Sequence, residues 1–171
     1  MPLTIRIQLL LAALLVVLLA APATAQAGCA GADASAAALG TDQAQSAVRC
    51  LVNDARHGRG ARKLNQKDTL EAAAQYHATD MVARGYFSHS SPSGEDAFDR
   101  AKQFGYLNGG KGTVGEVIGA GTNWSPREVV RAWLDSGSHR GVLLGKRFRH
   151  VGVGVYTGFS LTYYSVSVGK N

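Results

Sequence analysis

Apolar residues recur at three- and four-residue steps through Ala44, Ala47, Val48, Leu51, Val52 and Ala55, which is one face of a helix. Thr41 is placed to cap that helix, and the run His57 to Gly60 is placed to end it. Cys50 lies off the apolar stripe. A second helical face starts near Asp68 and runs through Leu70, Ala73, Ala74, His77 and Met81. On such a stripe His77 reads as a satisfied core histidine with a structural role rather than as a ligand. Gly85, Pro92 and Gly94 then mark a loop that carries His89 just past Tyr86 and Phe87. A short helix is expected from Glu95 to Phe104, with Gly105 as its stop.

From Gly112 the period changes. GTVGEVIGAG reads as a strand with loop edges, and Glu116 is its only charge. It lacks both the Gly-Lys-Ser/Thr ending of a phosphate loop and the GxGxxG spacing. SPREVVRAWLDS is the clearest helix start in the chain: Ser125 is a natural N-cap, Pro126 suits the first turn, and Glu128 completes a capping box. Glu128 therefore has a structural task. Val129, Val130 and Trp133 form the buried face, and Gly137 is expected to end the helix. HVGVGVYTG and SLTYYSVSVG alternate around Gly158 as an antiparallel hairpin, with Gly152 and Gly154 admitting another backbone close to the strand. Helices, a strand, a helix and a hairpin make an α+β domain, helices packed on a small, mostly antiparallel sheet.

The N-terminus is built differently. Arg6 precedes an uncharged apolar run from Leu9 to Ala20, and Ala-x-Ala sites follow at Ala23 to Ala25 and Ala25 to Ala27. About a dozen apolar residues fall short of the roughly 20 that span a bilayer. The pattern is that of a secretory signal peptide over residues 1–25, with an uncleaved anchor as the alternative. Residues 26–40, rich in small side chains, read as a flexible, poorly ordered linker, and 41–171 as the domain. Export places the two cysteines, Cys29 and Cys50, in an oxidising space, where an even count favours a disulfide. The alternative is lipidation of Cys29, since Ala27-Gly28-Cys29 resembles the end of a lipobox, although Gln26 stands where such a box carries an apolar residue.

The 171 residues suit one domain, and losing Arg6 with the leader lowers the net charge from +6 to +5. That modest excess suits anionic surfaces and argues against nucleic acid, because the cations are not in one block. Ala55 to Lys63 is the densest basic stretch; it reads as a solvated loop or as a dock for an anionic surface. No zincin motif, nucleophile elbow or Walker loop is present. What remains is His89, Glu116 and His139 on three separate segments, with Ser88, Ser90, Ser136 and Ser138 flanking the histidines.

Six stretches in order carry a resemblance: VNDAR, AAAQYHATDM, FSHSSPSG, the glycine-glutamate pair of GEVI, VVRAWLDSGSHR and HVGVGVY. Together they resemble the CAP superfamily of cysteine-rich secretory, antigen 5 and pathogenesis-related proteins, and its bacterial SCP-like extracellular members. The resemblance covers roughly Thr41 to Gly169. It implies an α-β-α sandwich with helices on both faces and an open cleft whose residues fall on His89, Glu116 and His139. A second family glutamate would fall at Ser136, with Asp135 beside it, and Val117 replaces an asparagine.

Two imidazoles and a carboxylate form the ligand set of many open zinc sites, so zinc or another divalent cation is a candidate cofactor; the alternative is a hydrogen-bonded polar cluster that holds three loops together. Glu116 is alternatively a residue that orients a water or one histidine. The resemblance implies a secreted, monomeric binding module for a small apolar ligand such as a lipid, or for a cell-surface component. Membrane contact is expected only through the signal peptide. The alternative is a metal-assisted, peptidase-like hydrolase of extracellular or cell-wall substrates, with Glu116 as the candidate catalytic base. The missing acid at Ser136 weighs against it.

Overall fold

A computed structural model describes residues 28–159 and 161–171. The expected signal peptide lies outside the described residues. The elements are α1 (Ala36–Leu39), α2 (Thr41–His57), β1 (Asn65–Gln66), α3 (Asp68–Ala83), α4 (Ala97–Gln103), β2 (Thr113–Thr122), α5 (Pro126–Asp135), α6 (Gly137–Leu143), β3 (His150–Gly158) and β4 (Leu161–Lys170). The strands form one sheet in the order β1-β3-β4-β2, antiparallel except for the short β1–β3 pair.

Strand alternation assigns the two faces. Val151, Val153 and Val155 of β3 point into a core with Val48 and Val52 of α2 and Trp133 of α5. The intervening Gly152 and Gly154 face the backbone of α3 at Leu70 and Ala74. Glu116 and Gly152 both pair with Ser167, so Glu116 shares the α3 face. Gly115, one residue earlier, looks the other way toward Val142 of α6 and Phe148. Helices therefore cover both faces, and the sandwich is the expected one. Trp133 closes its side of the core by donating its indole N–H to the Ile118 carbonyl at 2.7 Å.

Three local expectations change. Gly40, not Thr41, is the N-cap of α2, and no side chain caps that end. The helix of Trp133 breaks at Ser136, whose extended backbone ends α5, yet Gly137 opens α6 instead of a loop, so His139 is helical. Residues 28–40, expected as a poorly ordered linker, are packed. Ala32 and Ala36 are buried, the Arg127 N–H donates to the Ala32 carbonyl, and the Ala36 N–H donates to the Trp124 carbonyl.

What holds this arm is a Cys29–Cys50 disulfide spanning 21 residues. It occupies the sulfur that lipidation of Cys29 would need. Cys50→Ser should lower stability by about 3 kcal/mol, the chain-entropy value for a loop of this size. Urea unfolding of wild type with and without reductant should show the same deficit. Equal midpoints would mean that packing alone secures the arm.

Candidate functional site

Glu116 is the organising residue. The pleat of β2 turns its side chain toward α3, where it is 3 % exposed. A carboxylate so placed must be paired, because desolvating a lone charge is costly. Its Oε2 accepts from the Arg100 guanidinium at 2.8 Å and from the Ser165 hydroxyl of β4 at 3.4 Å. Its Oε1 lies 2.9 Å from His89 Nδ1.

Arg100 is itself buried, on α4, a helix started by a capping box of Asp96 and Asp99. Besides Glu116 its guanidinium donates to the His89 carbonyl at 2.9 Å and the Glu95 carbonyl at 2.8 Å. One side chain thus ties both ends of the 89–95 loop to the sheet.

His77 completes the inner wall. It is fully buried on α3, with Nε2 at 3.7 Å from Glu116 Oε1 and no hydrogen bond at that nitrogen. Its Nδ1 is 3.4 Å from the Tyr86 hydroxyl, which donates to Asp80 at 2.6 Å. Its burial is that of a core histidine, but the unpartnered Nε2 means that it is not the satisfied one expected, and it borders the site directly. Outward, the site ends in His89, whose side chain is 54 % exposed, and in Phe87, also about half exposed, edge-on to Tyr163 with centroids 6.2 Å apart.

The charges follow from these contacts. Burial pushes the Glu116 carboxyl up, but the His89 hydrogen bond and the Arg100 charge outweigh it and hold the group below the ordinary carboxylate range. The bond to Glu116 raises His89. Burial lowers His77, so it stays neutral at pH 7 despite the nearby carboxylate.

Linkage gives each a direction. The Glu116 contribution to stability is present above its ordinary 4.5 and fades as pH falls through its lowered folded value. The His89 contribution is complete below 6.5 and fades as pH rises through its raised folded value. The pair therefore stabilises most where both are charged, in mildly acidic solution. His77 opposes this, since below 6.5 the unfolded chain binds a proton that the native site resists. NMR titration should find the His89 imidazole above 6.5, and Glu116→Gln should bring it down. An unchanged value in the variant would mean that the His89–Glu116 bond does not form in solution.

Of the three cleft residues read from the sequence, His89 and Glu116 are brought into contact. His139 lies half-buried in the first turn of α6 and makes no hydrogen bond or ion pair with either among the described residues. Among those residues the one group of three metal-type donors within 4.8 Å of one another is Cys29, Cys50 and Asp54, whose sulfurs are bonded to each other. Glu116 does not fit as a direct metal ligand, because a guanidinium holds one oxygen and an imidazole the other. It fits instead as the residue that orients His89 through Nδ1, leaving Nε2 as the nitrogen available to a cation. The hydroxyl of Ser136, in the place of the second acid, has one hydrogen-bond partner among the described residues, the Ser138 hydroxyl at 3.2 Å. Ser125 and Glu128 form the expected capping box.

Arg100 and Ser165 belong to this site and have no motif of their own. The signal for Arg100 was indirect: a lone carboxylate in an apolar strand demands a cation, and α4 is where the chain supplies one.

The family model described as the cysteine-rich secretory protein family matches residues 50–168. The protein YkwD of Bacillus subtilis (strain 168) is 38% identical over 104 residues, 61% of this chain and 39% of that protein. The chain thus spans about two fifths of YkwD. Among solved structures, an extracellular protein containing an SCP domain from Bacillus anthracis str. Ames superposes with a TM-score of 0.68 at 26% identity, over 77% of this chain and 41% of that one. An outer surface protein from Borrelia burgdorferi superposes with a TM-score of 0.65 at 21% identity, over 72% of this chain and 90% of that one, and shows the same fold.

Proposed function

Because the chain belongs to the cysteine-rich secretory protein family, we propose that it is a secreted recognition module that binds a small apolar ligand or cell-surface component beside His89. The observation that carries this reading is the engagement of Glu116. A general base needs an accessible lone pair and a proton affinity near the working pH. Glu116 is buried, held below the ordinary range, and hydrogen-bonded at both oxygens. It serves as an anchor for His89 and the 89–95 loop. Beside it the exposed Phe87 edge and Tyr163 supply an apolar wall with one polar, half-exposed imidazole, a composition suited to binding.

Zinc or another divalent cation enters this reading through His89 Nε2 and His139, with Glu116 behind His89. When bound, it would supply a Lewis-acidic position for a ligand oxygen.

The direct test is titration of a fluorescent fatty acid into the purified protein, with Phe87→Ser and His89→Ala beside it. Phe87→Ser should weaken binding about tenfold, the loss of roughly 1.4 kcal/mol of apolar burial. No uptake by wild type, or equal uptake by all three, would overturn the apolar site. Zinc titration of wild type, His89→Ala and His139→Ala tests the cation, and equal binding by all three would remove it from the site. A peptide-library digest with zinc present should stay blank; cleavage lost in Glu116→Gln would establish the hydrolase instead.

A further inference from the structure

One basic surface lies apart from the His89 site and plays no part in its chemistry. No acidic residue occurs between Ala55 and Lys67, and none between Ser136 and the C-terminus. The fold brings these two acid-free stretches together through Arg56. Its guanidinium is fully buried and donates to the carbonyls of Arg62 at 2.8 Å, Leu143 at 2.6 Å and Gly145 at 3.2 Å. The Asn65 N–H adds a bond to the Arg149 carbonyl at 2.9 Å.

The result is one face with Arg59, Arg62 and Lys63 on the first loop and Lys146, Arg147 and Arg149 on the second. All but the half-buried Arg149 are exposed. Among the described residues none of the six has a carboxylate within ion-pair distance. Beside the first loop lies a hollow of about 420 Å³, between Arg59 and the α5–α6 segment that carries Arg140 and Leu144, with Asp135 at its wall. Arg147 lies over the Phe148 ring, 4.8 Å from its centroid, which steadies one of the guanidinium planes.

We propose that this two-loop face docks the protein on a linear acidic polysaccharide, with sugar carboxylates or sulfates on the six cations and the chain running across the hollow. Clustering like charges costs free energy, and a polyanion offsets it by shedding its own counterions. Arginine forks match carboxylate and sulfate oxygens in pairs. The face carries none of the exposed large apolar side chains, which are Tyr76, Phe87, Phe98, Tyr156 and Phe159. It therefore offers no apolar wedge for a bilayer and no aromatic platform for single-stranded nucleic acid. A flexible chain also reaches into a recess that a planar headgroup layer spans. The inference is independent of the apolar site beside His89, so either can fail alone.

The test is binding of the whole mature protein to immobilised heparin and polygalacturonate across a salt series. The variants are Arg62→Gln/Lys63→Gln, Lys146→Gln/Arg147→Gln and a control of equal charge loss, Lys102→Gln/Lys111→Gln. Thermal melts confirm that each folds, which surface changes of this kind should not prevent. Each loop pair should weaken binding about tenfold and make the log–log salt slope shallower by roughly one to two, with the control within about twofold of wild type. Equal losses in the control would reduce the effect to net charge and overturn the site. Loss confined to one loop would overturn the shared face. Tighter binding to phosphatidylserine-containing vesicles or to duplex DNA than to either polysaccharide would overturn the choice of partner.

Discussion

Replacing Arg100 with methionine should destabilise the protein by about 3–5 kcal/mol, the usual cost of leaving one member of a buried ion pair without its partner. Methionine fills much of the space of the aliphatic stem, so the loss is chiefly electrostatic. Glu116, 3 % exposed, would keep only the hydrogen bonds to His89 and Ser165, the His89 carbonyl would lose the Arg100 donor, and the Glu95 carbonyl would keep only the Ser91 N–H. The pH dependence separates this from simple loss of packing. In wild type, Glu116 sits below the ordinary range, and acidification removes its contribution. Without Arg100, burial becomes the larger influence and the folded carboxyl rises. The native state then binds a proton more readily than the unfolded chain, and the deficit of the variant should shrink as pH falls. Urea unfolding at pH 7 and at a series of values below 4.5 reads both effects. Arg100→Met/Glu116→Leu should recover most of the loss, since an apolar pair of similar volume avoids the stranded charge. A deficit below about 1 kcal/mol, or one insensitive to pH, would mean that water reaches Glu116 and the pair is a surface contact.

The elements were largely legible because their signals are local. The capping box of Ser125 and Glu128, the alternation in β3 and β4, and the apolar stripe with His77 on α3 each follow from a few adjacent residues. The misses have local causes as well. Gly137 carries the expected stop signal, but an extended Ser136 breaks the helix one residue earlier and frees Gly137 to open α6. The small-residue arm at 28–40 looked unable to pack, yet Ala32 and Ala36 fill shallow gaps, and the disulfide makes ordering them less costly. The site was half legible. His89 and Glu116 could be paired only through family resemblance, since nothing in their separation of 27 residues dictates contact. Arg100 was invisible because a surface-looking helix hides a buried cation well. Only the demand of the Glu116 carboxylate for a partner points to it.

Gly154→Ala should be as damaging as loss of Arg100, on the order of 4 kcal/mol, through sterics alone. A Cβ at Gly154 would overlap the Ala74 carbonyl, and one at Gly152 would overlap the peptide joining Leu70 and Glu71. These obstacles are main chain, which cannot rotate aside as a side chain does. To admit the methyl, α3 must move off β3. That motion would also break the bridge in which Gln75 accepts from the Val155 N–H and donates to the Val155 carbonyl, both at 3.0 Å. Because α3 carries His77, the inner wall beside Glu116 would open with it, so the substitution should also perturb the His89 titration from a distance. Gly141→Ala is the control. It lies in α6 with open space around a Cβ and no positive φ, and should be neutral or stabilising by about 0.5–1 kcal/mol. Denaturant unfolding of Gly152→Ala, Gly154→Ala and Gly141→Ala decides the matter. A loss below about 1 kcal/mol at either strand glycine would mean that the helix floats over the sheet, and the close backbone packing that places His77 against Glu116 would not exist in solution.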